Sequence, residues 1–530
     1  MSVRVYVAAT LRSFANRHNE ITAEGRVVSQ VLTNVRDEYP ELGQVLFDEG
    51  GDLREFISVY CNDRCVNDDL TYVLSEGDVI TLIPAMAGGS GSREQTEAAS
   101  PADSAVTGAG DHADASEQTE AASPTDSAVT GAGDHANASV ISDDRRKAVA
   151  LDDAETERYN KHLMLREVGV KGQKRIKAAR VLVIGLGTLG APVVQYLAAA
   201  GVGTIGIADH DKVSVENLQG QVIHGTRDVK RPKTASARDA IRAINPKLNV
   251  VVIDEAITPD NVMDLITDYD VVADCTDNYK ARYLINDACA ELGIPDVYAS
   301  VYQFEAQISV FDATRGPCLR CLYPAPPPAG LVPTCAEGGT LSPLGGAAGS
   351  IQAAEVLKLI IGGGTPLIGR LEYLDLWNST GRVLKMRKRD NCPICGAGGH
   401  LLDVSEYDYD ELCGLRESKE EAAVEGIEAD ELAARIERGD DITIVDVREP
   451  HERAIRKFPG AIVIPIGQLA RRQKELDPAK DTIFICREGK RSILAINTLR
   501  EAGYAGPMYN LRGGVESAKN IIFSNEGAWL

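Results

Sequence analysis

The hydrophobic pattern of the first 89 residues predicts a small mixed α/β domain. The chain opens with VRVYV, in which apolar and polar residues alternate at the period of a strand. Apolar residues then recur at helical spacing from Val28 to Val35, and Pro40 is expected to stop that helix. Two more strand-like runs follow, FISVYCN and DVITLIPAMAGG, and the second ends in a Gly-Gly pair.

From about residue 152 the chain alternates strand and helix patterns. The runs VLVIGLG, TIGIAD, VVVID and VVADCTDN have strand character, with a helix that ends at Ala200 and another near 234–244. This alternation is typical of a doubly wound α/β domain, which we place at 151–400. A last α/β unit, with the strands ITIVDV and TIFICR, occupies 427–530, so the chain is predicted to be a multi-domain α/β protein.

Two polar segments separate these domains. Residues 94–116 and 117–139 form a near-perfect tandem repeat of 23 residues that is rich in Ala, Ser, Gly and Asp. A solenoid needs more apolar surface than this composition offers, so we predict a flexible acidic linker over 90–150. A second linker is predicted over 401–426.

The net charge, the hydrophobic pattern and the cysteine count exclude several classes of protein. The formal charge of −22 argues against nucleic acid or an anionic membrane as a partner. The chain opens without a secretory signal and has no apolar run of about 18 residues, so we expect a cytoplasmic protein with no membrane span. Eleven cysteines are too sparse for a disulfide framework. Five of them are expected to be ordinary thiols: Cys61, Cys65, Cys275, Cys289 and Cys413.

A glycine-rich turn joins the strand VLVIG to the next helix. Gly185, Gly187 and Gly190 have the spacing G-x-G-x-x-G, which lets backbone N–H groups approach a phosphate at a helix N-terminus. Asp209 ends the next strand, about twenty residues on, where a carboxylate can bind a ribose hydroxyl. A nucleotide site is therefore predicted, and a nicotinamide or flavin enzyme remains open at this point.

The sequence around and after this turn resembles the MoeB/ThiF family of sulfur-carrier adenylyltransferases, relatives of the ubiquitin-activating enzymes. The resemblance rests on ERYNKHLMLREVGVKGQ, AGVGTIGIADHDKVSVENLQGQ, RPKTASARDAIRAINP, CTDN and CAEGGTLSPLGGAAGSIQAAEVLKLI, which occur in the family's order. It implies a Rossmann-like doubly wound adenylation domain that uses ATP and forms a homodimer.

The same resemblance implies roles for single residues. Asp209 and Asp211 would line the nucleotide site, with Asp209 on the ribose, and Asn217 and Lys233 would lie near the phosphates. Asp277 would coordinate Mg²⁺. A carboxylate must attack an anionic α-phosphate in this chemistry, so cations and N–H groups are needed to offset the repulsion. The products would be an acyl-adenylate and pyrophosphate.

Two positions depart from the family. Its common R-Y-x-R motif has a second arginine that reaches the ATP of the partner subunit, and this chain has Lys161 there. Its N-L-x-R-Q motif has an arginine where this chain has Gly220. Loss of one phosphate-stabilising cation would cost about 2–4 kcal/mol of transition-state stabilisation. A catalytically weakened scaffold therefore stays open as an alternative.

Two C-x-x-C pairs have the spacing of metal ligands. Their four thiolates suit a tetrahedral Zn²⁺, and a redox dithiol is the rival interpretation for one pair. The residues are Cys318, Cys321, Cys392 and Cys395. The resemblance implies a structural zinc site, which has no open coordination position for catalysis.

Cys335 begins CAEGG, which in the family lies on a mobile crossover segment near the acyl-adenylate. A thiol there would accept the acyl group or form a mixed bond to sulfur, and a packing cysteine is the alternative. The following glycines fit a loop.

The C-terminal unit resembles the rhodaneses, sulfurtransferases with the active-site loop C-x-x-G-x-R-S. Cys486 opens this loop, and Lys490 and Arg491 lie within it. Loop N–H groups, a helix N-terminus and the two cations would favour a thiolate at Cys486. The resemblance implies an accessible cysteine that carries persulfide sulfur, with Asp446 and Arg448 flanking the loop.

Residues 1–89 resemble the ThiS/MoaD sulfur carriers, which are ubiquitin-like β-grasp proteins that work through a terminal Gly-Gly. Gly88 and Gly89 would form that tail, but Ser90 follows Gly89 in the chain. Because a peptide-bonded glycine has no free carboxylate, we hypothesise that a peptidase cuts after Gly89. Without cleavage, the domain would serve as a docking mimic.

Together these resemblances imply adenylation of a carrier's C-terminal carboxylate, followed by sulfur transfer from a persulfide to form a thiocarboxylate. Such carriers serve molybdopterin, thiamine, cysteine or thio-tRNA biosynthesis. Activation of a ubiquitin-like protein for conjugation to other proteins is the alternative. The expected partners are a carrier, either residues 1–89 or a separate protein, and a persulfide donor.

Overall fold

A computed structural model describes residues 1–86, 138–328, 331–332, 338–398, 403–413 and 424–518. The predicted tail glycines, Gly88 and Gly89, lie outside the described residues, as do Cys335 and nearly all of the tandem repeat.

The N-terminal domain folds as a five-stranded mixed sheet with two helices. Its strands are β1 (Ser2–Val7), β2 (Glu20–Glu24), β3 (Ile57–Cys61), β4 (Arg64–Cys65) and β5 (Val79–Pro84), and its helices are α1 (Val28–Glu38) and α2 (Pro40–Leu46). The sheet order is β2-β1-β5-β3-β4, with β1 parallel to β5 and the other pairs antiparallel. This is the expected β-grasp arrangement. Helix α1 ends at Glu38 as predicted near Pro40, but Pro40 itself begins α2, because proline suits a first helical turn.

The central domain is a doubly wound sheet extended by antiparallel strands. Its strands are β6 (Arg180–Ile184), β7 (Thr204–Ala208), β8 (Asn249–Ile253), β9 (Val271–Asp274), β10 (Asp296–Tyr302), β11 (Glu305–Phe311), β12 (Arg370–Asp375) and β13 (Thr380–Lys385). Strands β8, β7, β6, β9 and β10 are parallel in that order, and β10 to β13 continue antiparallel. The carboxyl ends of the parallel strands therefore meet at one edge.

Helices cover both faces of this sheet. They are α3 (Asp143–Ala148), α4 (Asp153–Arg158), α5 (Asn160–Leu163), α6 (Gly169–Ala178), α7 (Gly190–Ala200), α8 (Lys233–Ile244), α9 (Val262–Ile266), α10 (Tyr279–Leu292), α11 (Leu319–Leu322) and α12 (Ser342–Ile361). Among the described residues, α12 alone is long and apolar enough to cross a membrane by composition. It packs against α7, β10 and β11, so it is the core helix of this domain.

The N-terminal and central sheets are continuous. Lys385 of β13 pairs with Arg64 of β4, which joins the two sheets into one of thirteen strands. The β-grasp domain is thus held against the central domain of its own chain.

The C-terminal unit is a five-stranded parallel sheet in the order β14-β18-β17-β15-β16. Its elements are β14 (Gly426–Ile427), β15 (Ile442–Asp446), β16 (Ile462–Val463), β17 (Asp481–Ile485) and β18 (Met508–Leu511), with α14 (Ala429–Arg438), α15 (Pro450–Ile455), α16 (Leu469–Arg472), α17 (Lys490–Glu501) and α18 (Gly514–Ser517). Two ion pairs link it to the β-grasp domain, Arg17 with Glu449 and Arg471 with Glu41.

The ends of both predicted linkers are folded. From 138 onward the chain packs on the central domain: Ile141 is 1% exposed and Ser139 Oγ donates to the Ile360 carbonyl. Within 401–426, helix α13 (Tyr409–Leu412) lies against α10, and the Tyr409 hydroxyl donates to Asp287 Oδ2 at 3.0 Å. The sequence did not predict these folded ends because each packs through only a few apolar residues within a largely polar segment.

Candidate active sites

The glycine-rich turn lies at the carboxyl edge of the parallel strands. Gly185 has a φ of +92°, and a Cβ there would lie 2.7 Å from the Cys275 carbonyl oxygen. A Cβ on Gly190 would lie 2.0 Å from the Gly185 carbonyl oxygen, so both positions require glycine. A Cβ on Gly187 would meet no atom nearer than 3.8 Å, which leaves its backbone open to a ligand.

Asp209, Asp211 and Lys233 converge beside this turn. The N–H groups of Leu186 and Asp211 each donate to the Asp209 carboxylate at 2.8 Å. Lys233, the first residue of α8, is 6% exposed and places its Nζ 2.8 Å from Asp211 Oδ2 and 3.7 Å from Asp209 Oδ2. Burial favours a lower pKa for Lys233, but these carboxylates outweigh it and raise the pKa above its usual value. The site thus holds a buried, charged lysine next to the glycine-rich turn.

Three other residues that the sequence singled out for adenylation are Asp277, Asn217 and Lys161. Asp277 is exposed just after β9, and its charge also helps to raise the pKa of Lys233. The side-chain oxygen of Asn217 accepts a hydrogen bond from the Ser214 N–H at 3.0 Å, so this side chain stabilises its own loop. Lys161 is exposed on α5.

Gly220, which replaces the family's arginine, is buried against Thr188 of the glycine-rich turn. A Cβ on Gly220 would lie 2.9 Å from Thr188 Oγ1, and a Cβ on Gly345 would lie 2.1 Å from Thr188 Cγ2. The threonine therefore occupies the space next to position 220. A larger side chain at 220 requires Thr188 to move.

The last described residues of the β-grasp domain are held by the adenylation domain through their carbonyl oxygens. Gln307 Nε2 donates to the Pro84 carbonyl at 3.1 Å, and the Tyr279 hydroxyl donates to the Ala85 carbonyl at 3.0 Å. Ser300 Oγ donates to the Met86 carbonyl at 2.8 Å. Ser300 lies on β10 beyond the level where β9 ends, so Met86 is held near the carboxyl edge of the sheet, where the glycine-rich turn also lies.

A buried carboxylate anchors the same interface. Glu305 of β11 is fully buried and accepts hydrogen bonds from the guanidinium of Arg12, the hydroxyl of Tyr6 and the backbone N–H of Ala9. It also accepts from the Tyr373 hydroxyl of its own domain. Burial raises the pKa of Glu305 above its usual value, which the charge of Arg12 opposes. A buried charge that is paired and hydrogen-bonded in this way depends on all its partners.

The four predicted zinc ligands come together although about seventy residues separate the pairs. Their sulfur atoms lie within 4.8 Å of one another, with 3.5 Å between Cys318 and Cys392 and 3.3 Å between Cys321 and Cys395. Zn–S bonds of about 2.3 Å in a tetrahedron separate sulfurs by about 3.8 Å. Hydrogen bonds from Cys318 and Cys321 lower the pKa of Cys395 to about 7, which favours a thiolate. The donor set and its spacing fit zinc.

We expect one zinc ion per chain, and we expect Cys392→Ser to lose it. The metal clamps two distant segments, so its loss should lower the free energy of unfolding by about 2–5 kcal/mol, as for a structural crosslink. Metal content by mass spectrometry and a denaturant melt measure both effects. The matched control is Cys289→Ala, a buried cysteine outside the cluster, which should keep the zinc. Equal metal content in both variants would contradict the assignment.

The Cys486 loop lies between β17 and α17 and surrounds the sulfur with donors. The Gly489 N–H donates to Cys486 Sγ at 3.0 Å, and Ser492 Oγ donates to it at 3.3 Å. Gly489 has a φ of +96°, which lets the loop turn into the helix. Cys486 is 2% exposed, so the expectation of an accessible thiol is wrong for this conformation. Its position at the end of a strand suggested exposure, but the cysteine belongs to the hydrophobic core beneath the loop.

Two arginines around this loop have carboxylate partners. The Arg491 guanidinium donates two hydrogen bonds to Glu452, at 2.7 and 2.8 Å. Arg448 is paired with Asp446 in a buried bidentate contact. These two arginines therefore brace the loop through ion pairs, whereas Lys490 is exposed.

Comparison with known proteins identifies all three domains. The ThiF family matches residues 159–394, the rhodanese-like domain matches 428–520, and the ThiS family matches 5–89. Crystal structures of E. coli MccB align with a TM-score of 0.42 at 20% identity, over 46% of this chain and 74% of that chain, a similarity too low to bear on the fold.

Curated relatives match between about half and 70% of the chain. The probable adenylyltransferase/sulfurtransferase MoeZ of Mycobacterium tuberculosis is 42% identical over 377 residues, 69% of this chain and 94% of the relative. The sulfur carrier protein adenylyltransferase of Thermus thermophilus is 43% identical over 49% of this chain and 98% of its own length. The adenylyltransferase and sulfurtransferase MOCS3 of Sus scrofa is 41% identical over 62% of this chain and 73% of its own length.

Similarity over nearly the whole length of MoeZ defines the class of protein: enzymes that join a ThiF-type adenylating domain to a rhodanese-like domain. The chain belongs to the ThiF family, in its adenylyltransferase/sulfurtransferase branch, and carries a ThiS-type domain in addition.

Sequence reasoning missed the residues that hold the sites in place. Tyr279, Ser300, Gln307 and Glu305 follow the motifs or lie on later strands, and no spacing pattern marks them. Their hydrogen bonds to residues 9 and 84–86 exist only because the β-grasp domain docks there.

Proposed function

We propose that this enzyme adenylates the C-terminal Gly-Gly carboxylate of a ubiquitin-like sulfur carrier and then transfers sulfur to it. The observation that carries the proposal is the docked β-grasp domain, whose tail carbonyls at 84–86 are held at the edge that contains the nucleotide site. Lys233 is the buried cation of that site, and Asp209 faces the same turn.

In the first step the carrier carboxylate attacks the α-phosphorus of ATP and pyrophosphate leaves. Lys233 and the N–H groups of the glycine-rich turn would offset the charge of the phosphates. Asp277, which is exposed at the strand end, would hold Mg²⁺. Gly187 supports close approach of the phosphates because its backbone faces open space.

In the second step a persulfide on Cys486 supplies the sulfur. Its terminal sulfur would attack the acyl carbon and displace AMP, which leaves an acyl disulfide to Cys486. A second thiol must then attack the Cys486 sulfur of that disulfide to release the thiocarboxylate, and Cys335 is the candidate within this chain. This leaves a Cys335–Cys486 disulfide, which an external dithiol would reduce to restore both thiols. The Gly489 N–H and the Ser492 hydroxyl support an anionic sulfur at Cys486.

The remaining predictions belong to this proposal. We propose a cytoplasmic homodimer, supported by a group of exposed apolar side chains beside Lys161: Met164, Leu165 and Val170. A peptidase that cuts after Gly89 would create the carboxylate. Conjugation to other proteins stays the alternative outcome of the activated tail, and the acceptor pathway is open among those of sulfur carriers.

The test is ATP–pyrophosphate exchange by residues 138–530 with a separate fragment that ends at Gly89. The enzyme piece should begin at 138 because Ser139 and Ile141 pack on the central domain. Exchange should require the fragment and should vanish with Lys233→Ala. A fragment that ends at Ala87 lacks the Gly-Gly tail and is the control.

Absence of exchange with every fragment would leave two explanations, a different carrier or a disabled nucleotide site. Restoring the family arginine at position 220 decides this point, but only in the double variant Thr188→Gly with Gly220→Arg, because Thr188 fills the adjacent space. If that variant gains exchange, the wild-type site is weakened. If it stays inactive, adenylation of this carrier is refuted.

A further inference from the structure

A buried histidine connects the glycine-rich turn to the helix that carries the catalytic lysine. His224 is 6% exposed. Its Nε2 lies 3.3 Å from the Leu186 carbonyl oxygen, and its Nδ1 lies 2.9 Å from Ser236 Oγ. Leu186 belongs to the turn, and Ser236 lies on α8 one turn after Lys233.

These partners fix the tautomer of the ring. A carbonyl oxygen only accepts, so Nε2 carries the proton that is donated to Leu186. In the neutral ring Nδ1 then accepts from the Ser236 hydroxyl. Both ring nitrogens of neutral His224 are therefore hydrogen-bonded, one to the turn and one to α8.

The bridge acts on a single residue of the turn. The Leu186 N–H donates to Asp209 at 2.8 Å, while its carbonyl accepts from His224. The two peptide planes on either side of Leu186, which join it to Gly185 and to Gly187, are therefore each held by one hydrogen bond. Their orientation decides where the N–H groups of the turn point, and α8 sets the position of Lys233 relative to them.

The charges around the ring favour its neutral form. Lys233, Asp209 and Asp228 are the charged groups that act on His224. Burial lowers its pKa below the usual value, the two carboxylates oppose this, and the lysine adds to the lowering. A proton on Nδ1 would place a second cation near Lys233 and reverse the hydrogen bond with Ser236.

We propose that His224 is a positioning residue for ATP, which in its neutral form locks the glycine-rich turn to α8 and so aligns the turn with Lys233. This inference rests on the proposed adenylation function. It predicts that protonation of His224 weakens the binding of Mg-ATP, so that ATP affinity declines as the pH falls through the lowered pKa of this ring.

The test is the affinity of the intact chain for Mg-ATP by calorimetry, from about pH 7.5 to about pH 5.5, across the titration range of histidine. His224→Ala should bind about tenfold more weakly at the upper pH. His224→Gln retains one donor and one acceptor and should recover most of the affinity. It should also lose the part of the pH dependence that belongs to His224. His18→Gln, an exposed histidine of the β-grasp domain, should match the wild type.

Three results separate the possibilities. Wild-type affinity in His224→Ala, or the same pH dependence in His224→Gln and wild type, would overturn the positioning role alone. Failure of the wild-type chain to bind Mg-ATP would overturn this role and the proposed function together. A denaturant melt distinguishes a folded His224→Ala from an unfolded one, and rescue by His224→Gln tests the role if alanine does not fold.

Discussion

The protein with Cys486→Ala is expected to lose at least a thousandfold in sulfur transfer while it retains ATP–pyrophosphate exchange. The sulfur atom is the group that would carry persulfide, and loss of a nucleophile typically costs several orders of magnitude. The site proposed for exchange lies at the edge of another sheet, where Lys233 and Asp209 meet. The two measurements are sulfane transfer from thiosulfate to cyanide and isotope exchange from pyrophosphate into ATP.

The control for this prediction is Cys65→Ser, a half-buried cysteine of the β-grasp domain, which should change neither activity. Ser492→Ala should reduce sulfur transfer about tenfold, because one hydrogen bond to the sulfur is worth about 1.4 kcal/mol. Sulfur transfer at the wild-type rate by Cys486→Ala would contradict the assignment, whatever the exchange rate.

The second large effect is expected at the docking interface. Arg12→Ala in the carrier fragment removes the cationic partner of Glu305, a fully buried carboxylate. Removal of one partner of a buried pair costs about 3–5 kcal/mol, because the remaining charge is left without compensation. We therefore expect the concentration of fragment needed for half-maximal exchange with residues 138–530 to rise by about 10²–10⁴-fold.

A double-mutant cycle tests the cause. Arg12→Gln combined with Glu305→Gln removes both charges but keeps hydrogen-bonding groups, so it should recover a large part of the loss. The matched control is Arg4→Ala in the same domain, whose exposed pair with Glu20 should change the value by less than about fivefold. Additive effects at Arg12 and Glu305 would show that the pair does not govern docking.

The patterns along the chain predicted the elements of the three domains well, with differences that have local causes. The strand and helix around Gly185 lie where expected, because the apolar run and the glycines leave few other conformations. The linker ends near Ile141 and Tyr409 were missed, since a short segment that packs through one or two side chains has no periodicity.

The sequence predicted which residues belong to the candidate sites better than it predicted the contacts that those residues make. Asp209 and Lys233 do converge, but Asn217 and Arg491 make contacts within their own loops and ion pairs. Cys486 is buried where an accessible thiol was expected. Side chains of this length reach several partners, and the choice among them depends on neighbours that are distant in sequence.

The sequence by itself determined the three-domain order, the glycine turn, the cysteine pairs and the persulfide-type loop, because each rests on residue types at short fixed spacing. Only the tertiary structure decided that the β-grasp domain docks on its own adenylation domain, that Glu305 is the buried anchor and that His224 bridges the turn to α8. These contacts join residues up to about 300 positions apart, as Arg12 and Glu305 are. Burial of charged and polar groups costs free energy unless they are paired, and these pairings exist only after the chain has folded.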